Sequence, residues 1–271
     1  MAWTKLDPWV REILVDPISK IPISVADGVP DLRRKVFAST HSANVWRKGQ
    51  EHYEAWCRML IELDAEQDYA QEIERVREIY ARIPLHGRVL DVGGYQGRLR
   101  EFIGQGQEYL SCDPFIAAFE GIERQTRLLA AFRCFETPCN FVACHAEHLP
   151  FRAMSFDTVH MRSVIDHLLD PALALLEARR VLKRSGKLIV GLYVQGGKDG
   201  KQTPIERAKE AVRDALPLIG ITRYTDYHVW HPTFSELRAL IEAAGFLVRD
   251  VHWQEGIHDH VCYIDAASSD H

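Results

Sequence analysis

Two acidic residues and a group of glycines stand where a nucleotide-type ligand could be held. Asp91 lies in the short apolar run 89–92, and Gly93, Gly94 and Gly97 follow it closely. Glycines just past a buried strand let the backbone turn sharply and bring its N–H groups close to a ligand. Asp113 comes about twenty residues further on, where an acid commonly accepts hydrogen bonds from ribose hydroxyls. The spacing predicts a nucleotide-type site at the end of a central strand.

The glycine pattern narrows the class of nucleotide. The dinucleotide fingerprint G-x-G-x-x-G is absent, because Tyr95 stands where its second glycine would fall. The stretch instead resembles D-x-G-x-G-x-G, the first motif of class I S-adenosylmethionine (SAM) methyltransferases, with Tyr95 in place of the middle glycine. The resemblance implies that this turn holds the methionine part of SAM and that the next strand end holds the ribose. The residues concerned are Asp91, Gly93, Gly94, Tyr95 and Gly97 for the first, and Asp113 with Pro114 for the second.

A second segment, residues 141–151, resembles the family's F-V-x-G-D-A-E-x-L-P-F motif. The family's acidic residue reads the adenine amino group, and His145 occupies its position here. A neutral imidazole can still accept a hydrogen bond from that amine. The resemblance therefore implies that His145, Ala146 and Glu147 frame the adenine, with the backbone of Ala146 as the main contact.

Two further segments extend the resemblance. Residues 156–171 are similar to the family's F-D-x-V-x-x-x-x-V-x-x-H-L-x-D-P run, and residues 180–186 to its R-V-L-K-P-G-G. The first implies that Arg162 and Ser163 face the sulfonium end of SAM. Four ordered segments thus agree between about residue 75 and residue 195.

The methyl group of SAM is already activated by the sulfonium, so the enzyme must align an acceptor and, for a hydroxyl, remove a proton. His167 is the first candidate base, because it lies in the family run and histidine titrates near neutral pH. His228 and His231 are rivals in the aromatic segment 224–232. Each of the three could instead serve in packing, and if alignment alone suffices, none is a base.

The elements that must position these residues form a Rossmann-like α/β fold. We expect a seven-stranded, mostly parallel sheet, with an antiparallel closing pair at 246–248 and 261–264. We divide the chain into an N-terminal extension, 1–65, and a SAM-binding domain, 66–271. Residues 196–232 are predicted to be a substrate lid inserted after the fifth strand, or else a loop packed by its own aromatics. The predicted strands are 89–92, 109–112, 140–144, 155–163 and 188–192, and the predicted helices 41–63, 66–83, 116–133, 171–182, 204–216 and 234–244.

The N-terminal extension has two open interpretations. Residues 10–32 resemble, as a small β structure, the zinc-ribbon-like module found with many methyltransferases. Asp16-Pro17-Ile18-Ser19 stands where that module has C-P-x-C, so we expect no zinc there. The alternative is an arm that packs on the main domain. Trp46, Tyr53 and Trp56 in the predicted helix 41–63 are expected to lie mainly in the core. The resemblance leaves a second interpretation open, since N-terminal helices of the family often cover the cofactor and substrate.

Composition limits the function classes. The 271 residues carry 33 Lys+Arg against 38 Asp+Glu, a net charge of −5 that disfavours a nucleic-acid or membrane partner. No signal-peptide core or membrane-length apolar run is present, so we expect a cytoplasmic protein. The six cysteines include no C-x-x-C pair, although Cys134, Cys139 and Cys144 lie near two histidines, and we expect no metal.

The leading hypothesis is a SAM-dependent methyltransferase that acts on a small molecule and releases S-adenosylhomocysteine. The acceptor would be a hydroxyl of a sugar, lipid precursor or secondary metabolite. An RNA or protein methyltransferase and a catalytically silent SAM-fold scaffold remain alternatives. A nicotinamide-dependent oxidoreductase is the least favoured, and a homodimer is left open.

Overall fold

The computed structural model describes residues 3–26, 28–34, 40–104, 106–201, 204–215, 227–254 and 260–269. These residues form one sheet and its flanking helices. The strands are β1 (Thr4–Lys5), β2 (Val89–Val92), β3 (Tyr109–Asp113), β4 (Cys139–Ala143), β5 (Phe156–Arg162), β6 (Leu182–Tyr193), β7 (Phe246–Trp253) and β8 (Val261–Ser268). Their order is β1-β4-β3-β2-β5-β6-β8-β7; β8 runs antiparallel to both β6 and β7, and the other neighbouring strands are parallel. The predicted Rossmann-like α/β architecture is confirmed.

The order of the strands fixes where a ligand can bind. Within the sheet, β3 and β4 lie on one side of β2, and β5, which follows β4 in the chain, lies on the other side of β2. Ligands of open α/β sheets bind outside the carboxyl ends of the strands at such a switch point. Val92 pairs with Met161, so that β2 and β5 end side by side. The predicted glycine turn therefore leaves the sheet at the switch point.

The described residues include seven α-helices. They are α1 (Pro8–Ile13), α2 (His41–Leu63), α3 (Tyr69–Arg82), α4 (Thr126–Ala131), α5 (Pro171–Val181), α6 (Pro204–Ala215) and α7 (Phe234–Ala243). Asp170 caps α5 by accepting the N–H of Leu173, and Thr233 with Glu236 completes a capping box at α7, as the sequence predicts. No described helix has the length and apolar character that a membrane crossing requires.

The N-terminal segment differs from the predicted small β structure. Residues 10–32 contribute the end of α1 and isolated bridges such as that between Leu14 and Phe151. Val10 and Leu14 are fully buried in the main core, because their apolar side chains fill space beside the sheet. The segment therefore packs as an arm. Thr4 and Lys5 add a two-residue eighth strand where seven strands are predicted.

Short 3₁₀ helices interrupt the predicted helix over residues 116–133 and follow the glycine turn. Residues 116–133 form short 3₁₀ turns followed by α4, with Gly121 at a positive φ of 66° between two of the turns. The segment after the glycine turn, Arg98–Phe102, is a single 3₁₀ helix. A helix of this length offers few aligned N–H groups, so the turn itself must provide the donors for a ligand.

Candidate active site

A cavity of about 460 Å³ lies at the carboxyl ends of β2, β3 and β5. Small-molecule sites typically occupy roughly 300–1,000 Å³. Nine predicted site residues line it: Asp91, Gly93, Gly94, Tyr95, Asp113, Pro114, Arg162, Ser163 and His167. Within the described part of the chain, six others lie outside this lining: Gly97, His145, Ala146, Glu147, His228 and His231.

The turn after β2 needs glycine at two positions. Gly93 has a φ of 69°, and a Cβ there would collide with the side chain of Val164. A Cβ on Gly94 would lie 2.5 Å from Oδ2 of Asp91. The backbone can therefore approach a ligand at this turn only without side chains at these two residues.

Tyr95, which replaces the family's middle glycine, itself adopts a positive φ of 50°. Its N–H donates to Oδ2 of Asp113 at 3.2 Å, and its carbonyl accepts from the Ser111 hydroxyl at 3.0 Å. The residue thus links the turn to the end of β3. At this position Tyr95 also contributes to the cavity wall.

Asp113 is buried, with 4% of its surface exposed, at the end of β3. Its Oδ1 accepts the N–H of Phe115 at 2.9 Å, and its Oδ2 accepts that of Tyr95. Burial raises the pKa of Asp113 to about 7, although both hydrogen bonds oppose the rise. A carboxylate has about four acceptor sites, so about two remain for hydroxyl groups in the cavity.

Asp91 lies in a buried polar chain that the sequence interpretation missed. Its Oδ2 accepts the Tyr109 hydroxyl at 2.6 Å, and its Oδ1 lies 2.7 Å from Nδ1 of His160. Nε2 of His160 is in turn 3.0 Å from the Tyr80 hydroxyl. Asp91 and His160 hold paired positions on β2 and β5, and that register is the signal that could have shown the contact. Asp91 still lines the cavity, but much of its hydrogen-bonding capacity is used internally.

Arg162 and Ser163 leave β5 at the cavity. Burial opposes the charge of the Arg162 guanidinium, but nearby Tyr263, Tyr80 and Glu72 raise its pKa above the usual value. Ser163 has a positive φ of 52° and its N–H donates to the Gly191 carbonyl at 2.8 Å. The site therefore contains a permanent positive charge beside the glycine turn.

Three of the predicted histidines come together at one end of the site. The rings of His167 and His228 have their centroids 4.2 Å apart, and those of His228 and His231 are 5.3 Å apart. Asp166, which the sequence interpretation missed, joins them. Its Oδ1 lies 3.9 Å from Nε2 of His167 and its Oδ2 lies 3.3 Å from Nε2 of His228. His167 alone of these four is part of the cavity lining among the described residues.

The segment predicted as a lid is held beside this cluster by backbone hydrogen bonds. The Asp166 carbonyl accepts the N–H groups of Val229 and Trp230 at 2.8 and 3.2 Å. The N–H of Gln195 donates to the Pro232 carbonyl at 2.8 Å, which ties the end of the segment to β6. Of this segment, residues 202–203 and 216–226, including Tyr224, lie outside the described residues.

The residues predicted to frame the adenine are placed around the end of β4. Burial lowers the pKa of His145 to about 4, so its imidazole is neutral, and its Nδ1 accepts the N–H of Arg34 at 3.3 Å. Oε1 of Glu147 accepts the N–H groups of Leu169 and Asp170, which gives this residue a structural task. An adenine contact by this group stays a prediction.

Helix α2 supplies the wall opposite the sheet. Tyr53, Trp56 and Leu60 line the cavity, and Cys57 lies among them. Trp46 is buried, as the core interpretation expects, whereas Trp56 is 41% exposed and lines the cavity, as the covering interpretation expects. Helical periodicity cannot distinguish a core face from a cavity face, because both exclude bulk water.

Comparison with known proteins agrees with this geometry. A family model described as a methyltransferase domain matches residues 90–190. An uncharacterised protein of Methanocaldococcus jannaschii is 28% identical over 167 residues, which are 61% of this chain and 69% of that protein.

Two solved structures share the fold. One is the 1,6-didemethyltoxoflavin-N1-methyltransferase of Burkholderia thailandensis with bound 1,6-didemethyltoxoflavin and S-adenosylhomocysteine; it has a TM-score of 0.56 and 17% identity, and the match covers 89% of this chain and 94% of that one. The other is a SAM-dependent methyltransferase of Thermotoga maritima described as a possible histamine N-methyltransferase, with a TM-score of 0.52, 21% identity and coverage of 83% and 99%. The methyltransferase domain model thus matches the part of the chain that holds β2 to β5, and both solved structures, which are methyltransferases, share its fold.

Proposed function

We propose that the protein transfers the methyl group of SAM to a hydroxyl oxygen of a small-molecule acceptor. One observation carries the proposal: a single cavity is lined both by the glycine turn and Asp113 and by His167 and the aromatic side chains of α2. A donor and an acceptor bound in this cavity would be neighbours, as in-line transfer requires.

The donor end has groups suited to each part of SAM. Asp113 has acceptor sites left for the two ribose hydroxyls, and the turn from Gly93 to Tyr95 offers backbone to the methionine part. The guanidinium of Arg162 is suited to the methionine carboxylate, since arginine binds carboxylates through paired hydrogen bonds. We assign Asp91 to keeping the turn in place through its two internal hydrogen bonds, besides facing the amino group.

We assign the acceptor end to the part of the cavity beside His167, where apolar side chains of α2 contribute to the wall. Trp56 and Leu60 form one side, and Tyr53 stands edge-on to His167 with their ring centroids 4.9 Å apart. We propose that residues 196–232 act as a lid over this end, which the hydrogen bonds from Asp166 to Val229 and Trp230 support. A polymeric RNA would meet a chain with a net charge of −5, which favours a small acceptor instead. The Burkholderia neighbour, whose bound acceptor is a small molecule, is consistent with this choice.

In the reaction the acceptor oxygen attacks the methyl carbon, the C–O bond forms and the C–S bond breaks. The sulfonium becomes the neutral thioether of S-adenosylhomocysteine, and the hydroxyl proton must leave. The groups at the acceptor end that can promote that loss are Asp166, His167 and His228.

The proposal is tested with SAM carrying a tritiated methyl group. The purified full chain is incubated with separate pools of small hydroxyl compounds, RNA and protein, and S-adenosylhomocysteine is quantified by mass spectrometry. We expect label in the small-molecule fraction and an equal amount of S-adenosylhomocysteine. Label in RNA or protein would overturn the acceptor class, and SAM binding without product in every pool would make the chain a scaffold.

A further inference from the structure

We propose that Asp166, His167 and His228 form a binding site for a divalent metal ion at the acceptor end of the cavity. The inference rests on the proposed function, because it assigns to the ion the task of activating the acceptor hydroxyl. It differs from the expectation from the sequence that no metal binds.

The distances suit a shared ion. Nitrogen and oxygen ligands lie about 2.0–2.2 Å from zinc, so two ligands of one ion are separated by roughly 3 to 4 Å. The two measured separations are 3.3 Å, from Asp166 Oδ2 to His228 Nε2, and 3.9 Å, from Asp166 Oδ1 to His167 Nε2. One ligand atom from each of the three residues lies within 4.8 Å of the others.

The ligand types suit a catalytic ion rather than a structural one. Two imidazoles and one carboxylate bind zinc, manganese or ferrous iron, and three protein ligands leave at least one open position. Because His167 lines the cavity, an open position on the ion would be accessible to the acceptor.

The surroundings hold the three side chains near this arrangement. Backbone hydrogen bonds from Val229 and Trp230 to the Asp166 carbonyl bring His228, next to Val229 in the chain, to the carboxylate. Tyr53 packs edge-on against His167. Asp166 is 8% exposed, and among the described residues its Oδ1 has no hydrogen-bond partner. A buried carboxylate oxygen without a hydrogen-bond partner is strongly stabilised when a cation binds to it.

The ion would change how the proton is lost. A bound divalent cation stabilises an alkoxide and lowers the pKa of the hydroxyl that coordinates it. The proton then passes from the acceptor oxygen to water, and the resulting oxyanion attacks the methyl carbon as the C–S bond breaks. A histidine nitrogen that binds the ion cannot also accept the proton, so His167 and His228 act as ligands rather than as bases.

The test uses Co²⁺ as a probe, because its visible absorption reports nitrogen and oxygen ligands directly. The full chain, without a histidine tag and dialysed against a chelator, is titrated with CoCl₂. We expect saturation at one ion per chain, with Zn²⁺ displacing the cobalt. Asp166→Asn and His228→Gln should each weaken binding at least tenfold, by the removal of a ligand.

His252→Gln is the matched control. Its Nε2 lies 3.2 Å from Oδ2 of Asp250 on β7, so it is a histidine–carboxylate pair outside the proposed cluster. Cobalt binding should be unchanged in this variant. Circular dichroism and SAM titration of each variant establish that the fold and the donor end remain intact.

The outcomes separate this inference from the proposed function. Absence of a cobalt spectrum at millimolar metal, in protein that still binds SAM, would overturn the metal site and leave methyl transfer in place. Equal binding by Asp166→Asn and the wild type would also overturn it. A cobalt spectrum that depends on Asp166, in protein that binds no SAM, would support the site and reject the methyltransferase proposal.

Discussion

Replacement of Asp113 by asparagine should weaken SAM binding about a hundredfold. The carboxylate accepts the N–H groups of Tyr95 and Phe115 and retains about two acceptor sites for ribose hydroxyls. A hydrogen bond to a charged group contributes about 1.5–3 kcal/mol. Asparagine has no charge and only one acceptor oxygen, so we expect a loss of about 3 kcal/mol, or about two factors of ten in Kd.

The affinity for SAM should also depend on pH, because the Asp113 carboxylate titrates near neutrality. Burial raises the pKa of Asp113 to about 7 in the free protein, so the neutral form becomes dominant as the pH falls below that value. The neutral form has lost the charge that strengthens the ribose hydrogen bonds. SAM affinity should therefore be highest above about pH 7 and fall as the solution is acidified. Asp113→Asn should show no such dependence in this range.

The assay is isothermal titration calorimetry with SAM and with S-adenosylhomocysteine between about pH 6 and pH 8. Asp157→Asn is the matched control, because it removes the same charge at the opposite end of β5. Asp157 accepts the N–H of Arg88 at 2.9 Å and pairs with Lys183 at 2.8 Å, away from the cavity lining. A Kd for Asp113→Asn close to that of the wild type, or a wild-type Kd independent of pH, would refute the reasoning.

Three further predictions concern the same site. Gly93→Ala should abolish SAM binding, because the new Cβ collides with the side chain of Val164. Gly106→Ala, also at positive φ but in open space, should lower the free energy of unfolding by only about 1 kcal/mol. Calorimetry with SAM and urea unfolding measure both variants, and equal effects of the two substitutions would contradict the prediction. His160→Phe should lower the free energy of unfolding, measured in urea, by about 2–4 kcal/mol, since it leaves buried Asp91 without one of its hydrogen-bond partners. An unchanged urea midpoint would argue against the hydrogen-bonded chain of Asp91, His160 and Tyr80. Cys57 should react slowly with iodoacetamide near about pH 8, because burial raises the pKa of its thiol to about 12; labelling by mass spectrometry at the rate of a free thiol would contradict that burial.

The parts of the fold that could be predicted from the sequence are those that a short contiguous segment determines by itself. The short, largely apolar runs of β2 to β4 indicate strands buried on both faces, and the capping residues Asp170 and Thr233 mark helix starts. The cavity lining formed by Asp91, Gly93 and Asp113 could likewise be predicted, because these residues lie at fixed distances along one strand–turn–strand unit.

What could not be predicted depends on residues brought together from far apart in the chain. Asp91 and His160 meet only because β2 and β5 pair in one particular register. His228 lies in the segment that follows β6 and α6, far from Asp166 in the sequence. The two residues are brought together because the N–H groups of Val229 and Trp230 donate to the Asp166 carbonyl. The burial of Leu14 against Phe151 likewise arises from tertiary packing, which overrides the local pattern of prolines and glycine that suggested a separate β structure.

The central claim is that the turn after β2 and the end of β3 hold the SAM molecule with its methyl group directed toward His167. The most direct measurement is a crystal structure of the full chain with S-adenosylhomocysteine. The account predicts ribose hydroxyls within hydrogen-bond distance of the Asp113 carboxylate and a sulfur atom facing the acceptor end. Clear density for the ligand elsewhere, with the Asp113 carboxylate contacting only protein, would contradict it.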